Sequence, residues 1–191
     1  MSIHILGIFG SLRQESSNQG LVKLAQKLAP ADVTFTLYDK IGSLPFYNED
    51  LEDSARTPTS IIEWRNLVES ADALFIAAPE YNFGPSAVLK NAIDWATRPM
   101  GQHAMSGKVI SLISSSGSTG GVHVIEQLGG VSSHLEGRHI REAARGTQKH
   151  FYSYIRSVSG ILFFLADYPA CFGHHSSLCP AHILGPCLVQ Q

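Results

Sequence analysis

Gly10-Ser11-Leu12-Arg13-Gln14-Glu15-Ser16-Ser17-Asn18 sits between an apolar run, Ile3 to Phe9, and the segment Leu21-Val22-Lys23-Leu24-Ala25-Gln26-Lys27-Leu28. The apolar run reads as a buried strand, and the later segment places its apolar residues at helical spacing. A loop carrying hydroxyls, one amide and one guanidinium therefore joins a first strand to a first helix. A helix start offers unpaired N–H groups and the positive end of a dipole, so this loop suits a phosphate. Ser11, Ser16, Ser17 and Asn18 add side-chain donors, and Arg13 adds a charged fork. No third glycine follows Gly7 and Gly10 in G-x-G-x-x-G register, and the Gly-Lys-Ser/Thr end of a P-loop is missing. Many hydroxyls favour a terminal monophosphate, whose several oxygens each accept a donor. The plain alternative is an ordinary helix start capped by Ser16 or Ser17.

Two later segments repeat the strand-loop-helix pattern. Ala73 to Ala78 is a short continuous apolar run, as in a central parallel strand. Pro79-Glu80-Tyr81-Asn82-Phe83-Gly84-Pro85-Ser86 follows as a loop, then a helix from Ala87 to Trp95. Tyr81 offers a flat face, Asn82 a donor and an acceptor, and the two prolines stiffen the loop. This chemistry suits the edge of a planar heterocycle, against the alternative of a plain proline turn. Val109 to Ile113 reads as another strand, Ser114 to Gly121 as a small-residue loop, and Val122 to about Leu128 as a helix. Small residues let a backbone approach a ligand closely. A flexible linker is the other reading, but linkers do not sit between a buried strand and a helix. In open α/β sheets the ligand crevice lies at the carboxyl ends of the strands, and three such loops point to one crevice.

These motifs resemble the NADPH-dependent FMN reductase family, which includes quinone, azo-dye and chromate reductases. The match rests on Gly10-Ser11-Leu12-Arg13 with Ser16 and Asn18, and on Pro79-Glu80-Tyr81-Asn82 with Leu89-Lys90-Asn91-Ala92-Ile93-Asp94-Trp95. Ser114-Ser115-Ser116-Gly117 with Gly120-Gly121 adds a weaker third element, and the likeness covers about residues 3 to 130. It implies a single domain over residues 1–191, an α/β flavodoxin-like doubly wound parallel sheet of order 2-1-3-4-5 in three layers. It implies that Ser11, Arg13, Ser16, Ser17 and Asn18 hold the FMN phosphate. Pro79, Glu80, Tyr81 and Asn82 would line the isoalloxazine and ribityl chain, with Ser115, Ser116 and Gly117 completing the pocket. NADPH would deliver hydride to FMN and leave, and a quinone, azo compound or similar acceptor would follow in a ping-pong cycle. That cycle needs no protein acid, base or nucleophile, so no catalytic side chain is expected, and Glu80 reads as structural. No basic cluster suggests itself for a 2′-phosphate. The resemblance also implies a homodimer or homotetramer, with Leu89 to Trp95 as a candidate contact.

Composition agrees with this reading. Hydrophobic residues reach 44% and charged ones only 16%, which marks a globular chain rather than a disordered one. A net charge of -2 gives no case for nucleic acid or an anionic membrane surface. No run approaches the roughly 18 apolar residues of a spanning helix. Met1-Ser2-Ile3-His4 has no basic leader region, so the cytoplasm is the expected location. Val33 to Tyr38 alternates as a second strand, and Ile61 to Ser70 reads as a helix. Trp64 and Trp95 read as core rather than as ligand stackers.

The end of the chain departs from the pattern. Residues 1 to 128 carry nine Lys/Arg against thirteen Asp/Glu, whereas residues 129 to 191 carry five against three. Cys171, Cys179 and Cys187 all lie there, and Pro169, Pro180 and Pro186 interrupt any helix. Ile161 to Ala166 is apolar enough to serve as a fifth strand by default. Residues 131–191 read either as an aberrant C-terminus or as a divergent subfamily end. A zinc reading of Cys171-x-x-His174-His175-x-x-x-Cys179-x-x-His182-x-x-x-x-Cys187 matches no standard ligand spacing, so no metal is expected. With such a tail, the alternative function is flavin binding or protein interaction without turnover.

Overall fold

The structure, a computed structural model, describes residues 3–52, 55–101, 103–117, 119–134 and 138–145, with side chains to residue 131. Five strands form one sheet: β1 (Ile3–Phe9), β2 (Val33–Tyr38), β3 (Ala73–Ala77), β4 (Val109–Ser116) and β5 (Arg138–Arg145). All neighbours run parallel, in the order β2-β1-β3-β4-β5. The helices are α1 (Ser17–Leu28), α2 (Thr59–Ser70), α3 (Ala87–Ala96) and α4 (Val122–His134).

The strand period of two explains the layers. In β1, Ile5 and Phe9 face α1, where they pack with Leu21, Val22 and Ala25. Leu6 and Ile8 face the other way, toward Trp64 and Val68 of α2, Leu89 and Trp95 of α3, and Val124 and Leu128 of α4. All five residues of β3 are buried, as a strand covered on both faces must be. The expected three-layer, doubly wound flavodoxin-like architecture is what forms.

Three boundaries differ from the sequence reading. β4 continues through Ser116, because Ser114 to Ser116 pair in register with Ala143 to Arg145 of β5. Helix α4 runs on to His134. The strand beside β4 is Arg138–Arg145, a polar segment that apolar patterning does not flag. An edge strand needs partners for its backbone on one side only, so it tolerates such a composition. The Ile161–Ala166 run and the Cys171–Cys187 ligand pattern lie outside the described residues.

Both tryptophans belong to the core, as expected. Trp64 is 2% exposed and Trp95 fully buried. The Trp64 indole N–H donates to the Ala92 carbonyl and that of Trp95 to the Pro45 carbonyl, each at 2.8 Å. Trp64 thereby ties α2 to α3. Trp64→Phe is expected to lose this bond and leave a small cavity, about 2 kcal/mol in all. A thermal melt should show the midpoint fall by roughly 4–8 °C. An unchanged melt would remove Trp64 from the α2–α3 contact. Leu89, Asn91, Ala92, Ile93 and Trp95 are likewise buried within the chain. Helix α3 thus packs its apolar side on the sheet, while Ala87 and Lys90 stay exposed on its outer side.

Candidate functional site

The strand order reverses between β1 and β3, and the crevice opens at their carboxyl ends. Gly10 is the pivot. Its N–H donates to the Ala77 carbonyl at 2.9 Å, and its own carbonyl accepts from the Ser86 hydroxyl. A Cβ at Gly10 would lie 2.9 Å from Leu89 Cβ, Pro79 Cδ and Ser86 Oγ alike. The first loop therefore runs against the start of α3 with no room for a side chain.

Beyond Gly10, a cleft of about 500 Å³ is lined by the three strand-end loops. Its walls contain Ser11, Arg13, Ser16, Ser17 and Asn18 from the first loop, Pro79, Glu80 and Tyr81 from the second, and Ser115, Ser116 and Gly117 from the third. Eleven of the twelve residues expected from the sequence thus share one cavity. Asn82 does not line it. It sits exposed with φ 50° beside Phe83 at φ 64°, forming the two-residue turn of a hairpin between Glu80–Tyr81 and Gly84–Pro85. Positive φ at both positions matches the twist of a tight hairpin, at a steric cost for a bulky phenylalanine. The Gln127 amide holds the turn by donating to the Phe83 carbonyl at 2.7 Å.

Each expected residue has a definable local task. Ser16 caps α1, its Oγ accepting from the Gln19 N–H at 3.4 Å, so its own hydroxyl hydrogen remains for a ligand oxygen. Ser11 is buried, and its Oγ lies 3.5 Å from the Tyr81 hydroxyl across the cleft. Arg13 and Ser17 are exposed at the rim. Asn18 engages the opposite wall. Its Nδ2 donates to the Ser115 carbonyl and its Oδ1 accepts from the Ser115 N–H, both at 2.9 Å. This two-point clasp fastens the start of α1 to the end of β4.

Glu80 links two of the loops. Its carboxylate accepts from the Thr119 hydroxyl, the His123 N–H at 3.0 Å and the Val124 N–H at 3.2 Å. It caps the first turn of α4 and joins the second loop to the third. Burial pushes its pKa up, but the Thr119 hydroxyl, the two N–H groups and His123 outweigh that and hold it below 4.5. A carboxylate with a lowered folded pKa adds stability that is present above its unfolded pKa and lost as pH falls through the folded one. The Glu80→Gln variant should therefore melt below the wild type at neutral pH, the difference closing as pH drops below about 4.5. Parallel melting curves across pH would exclude this role. Thr119, His123 and Ser86 escaped the sequence reading. The one local signal was the position of Ser86, directly before an apolar helix.

The family model for NADPH-dependent FMN reductase matches residues 3–150. The chain belongs to the NADPH-dependent FMN reductase family. FMN is the cofactor of that family and NADPH its electron donor. The family match runs past residue 130 and takes in β5. A 2-hydroxy-1,4-benzoquinone reductase from Burkholderia sp is 38% identical over 137 residues, covering 71% of this chain and 73% of that protein. An NAD(P)H-dependent FMN reductase of Pseudomonas aeruginosa is 42% identical over 114 residues, 60% of each chain. The chain thus spans about three fifths to three quarters of the length of these relatives. Among solved structures, the NAD(P)H:(acceptor) oxidoreductase FerB of Paracoccus denitrificans superposes with a TM-score of 0.75 at 30% identity, over 87% of this chain and 96% of that one. An FMN-dependent NADH-azoreductase of Bacillus anthracis, at TM-score 0.63 and 14% identity, shares the fold.

The residues present fit FMN. The cleft volume falls within the roughly 300–1,000 Å³ of ordinary ligand sites. Hydroxyls and a guanidinium gather at the α1 end, where a phosphate meets uncapped helix N–H groups. The Ser115–Gly117 wall carries only small side chains, which lets a flat ring approach it closely.

Proposed function

We propose that this chain is an FMN-dependent NAD(P)H oxidoreductase that passes electrons to quinones, azo compounds or similar small acceptors. The observation that carries it is the convergence of hydroxyl-rich, aromatic and small-residue loops on one strand-end cleft. When bound, FMN supplies the two-electron chemistry, accepting hydride from NADPH and yielding it to the acceptor in turn. The protein binds and orients. Ser11, Arg13, Ser16 and Ser17 hold the phosphate at the α1 start, and Asn18 keeps that start in place through Ser115. Pro79, Glu80 and Tyr81 form one wall for the isoalloxazine and ribityl chain, Asn82 holds the turn beyond, and Ser115, Ser116 and Gly117 form the other wall. No side chain in the cleft has to take or give a proton for this chemistry.

Among the described residues no helix is long and apolar enough to cross a membrane. A cytoplasmic location, where NADPH is at hand, belongs to the proposal. So does a homodimer or homotetramer, supported by exposed apolar side chains at Leu12, Phe46, Phe83 and Met100. The test is the visible spectrum of the gel-filtered protein after incubation with FMN, followed by NADPH consumption with and without benzoquinone. A co-eluting flavin band with quinone-dependent turnover supports the reading. Bound flavin without turnover would leave a binding protein, and no flavin at all would remove the cofactor assignment. Light scattering on the same fraction decides the oligomer.

A further inference from the structure

A second cavity, of about 760 Å³, shares no lining residue with the strand-end cleft. It is bounded by α2, the connection that precedes α2 and the segment that follows α3, and two arginines face each other's chemistry there. Arg65, on α2, donates from Nε to the Trp95 carbonyl at 3.0 Å, and its guanidinium lies 5.4 Å over the Trp95 ring. Arg98, just past α3, lies 5.6 Å over the Tyr47 ring with its Nε 3.6 Å from Glu52 Oε1. Stacking fixes the plane of each guanidinium and removes the rotamer entropy that an arginine ordinarily loses on gripping a ligand.

The described residues leave part of this bonding capacity open. Among the described residues, Arg65 Nη2 is buried with no hydrogen-bond partner, and so is Nδ1 of His103 on the same cavity. Leaving a buried polar nitrogen unpaired is costly, and two of them meet at one place. Burial also lowers the Arg65 pKa, against the opposing charges of Glu52 and Tyr47. Glu52 is shared, because its Oε1 accepts the Tyr47 hydroxyl as well as lying near Arg98. Glu69 is the other acid of the lining, so two carboxylates balance two guanidiniums before any ligand arrives. Ile62, Pro99 and Ala104 give the same cavity an apolar side.

We propose that this cavity is a second site, independent of the flavin, for a compact organic molecule bearing one oxyanion group held by Arg65 and Arg98. A carboxylate and a phosphate present the same acceptor edge to a guanidinium fork. His103 adds a third polar contact, and the apolar side receives the carbon skeleton. The site stands whether or not the strand-end cleft holds FMN.

The test titrates the full chain with citrate and, separately, with inorganic phosphate, at an ionic strength fixed with potassium chloride. The Nε–H resonances of Arg65 and Arg98 are followed by NMR. Saturable shifts with either anion are expected, and the anion that saturates identifies the group. Arg98→Met should weaken the binding about tenfold, the loss of one charge-assisted contact of roughly 1.4 kcal/mol. Arg98→Lys keeps the charge, loses the fork and guards against a folding defect, and should weaken binding too. The absorption of added FMN should not respond to either anion. Shifts no larger than those given by chloride, or equal binding in Arg98→Met and the wild type, would overturn the proposal.

Discussion

Gly10→Val is expected to abolish flavin binding while leaving a folded chain. The valine Cβ alone would sit 2.9 Å from three heavy atoms, two of them on Pro79 and Leu89, which hold the second loop and the first turn of α3. The Pro79 ring carbon and the Leu89 Cβ cannot swing away, so the relief must come from the backbone. Inserting carbon atoms into a packed site of this kind costs about 1–3 kcal/mol of stability. The larger effect falls on the cleft. The Gly10 N–H bond to Ala77 and the Ser86 bond to the Gly10 carbonyl set where Ser11 to Asn18 begin, so the residues proposed to hold the phosphate move together. Equilibrium dialysis with FMN should show the dissociation constant rise by about a hundredfold or more, equivalent to roughly 2.7 kcal/mol. Gly10→Ala should give the smaller part of the same change. FMN affinity within a factor of two of the wild type would show that the loop is not positioned through Gly10.

The second large effect is expected at Asn18. Asn18→Leu keeps the approximate volume and removes both arms of the clasp on Ser115. Two backbone groups at the end of β4 lose a buried side-chain partner, each at about 1–3 kcal/mol. The first and third loops then lose their direct link across the cleft. FMN affinity should fall by about ten- to a hundredfold. Asn18→Asp separates the two arms: its carboxylate still accepts from the Ser115 N–H but faces the Ser115 carbonyl with no hydrogen to donate. It should therefore behave closer to leucine than to asparagine, with added repulsion of the FMN phosphate. Wild-type affinity in both variants would reduce Asn18 to a bystander.

Much of the site was legible in the chain because each of its walls is local. A buried strand, a loop of particular residues and an amphipathic helix occur in sequence three times, and each unit announces itself through periodicity and small or hydroxyl side chains. The tasks within the walls were less visible. Asn18 was expected at the phosphate, and no pattern along the chain showed that its amide also clasps a residue 97 positions away. Asn82 was expected in the cavity wall, and the hairpin turn places it outside. Arg65 and Arg98 belong to different elements, so no cluster shows along the sequence. They meet at one cavity only after α2 and α3 pack on the same face of the sheet.

The strand order and the family came with the resemblance that the motifs carry; the sequence by itself determined the α/β class and the three loops at the crevice. Those properties rest on short-range patterns of polarity and turn chemistry, which survive without knowledge of distant partners. Tertiary structure alone decided which polar atoms are spent inside the protein and which remain for a ligand. It gave Glu80 to the start of α4, Asn18 to β4 and Ser86 to Gly10, and it chose the polar segment Arg138–Arg145 as the edge strand. A hydrogen bond is directional and short, so its partner is fixed by three-dimensional packing, and no pattern along the chain encodes it.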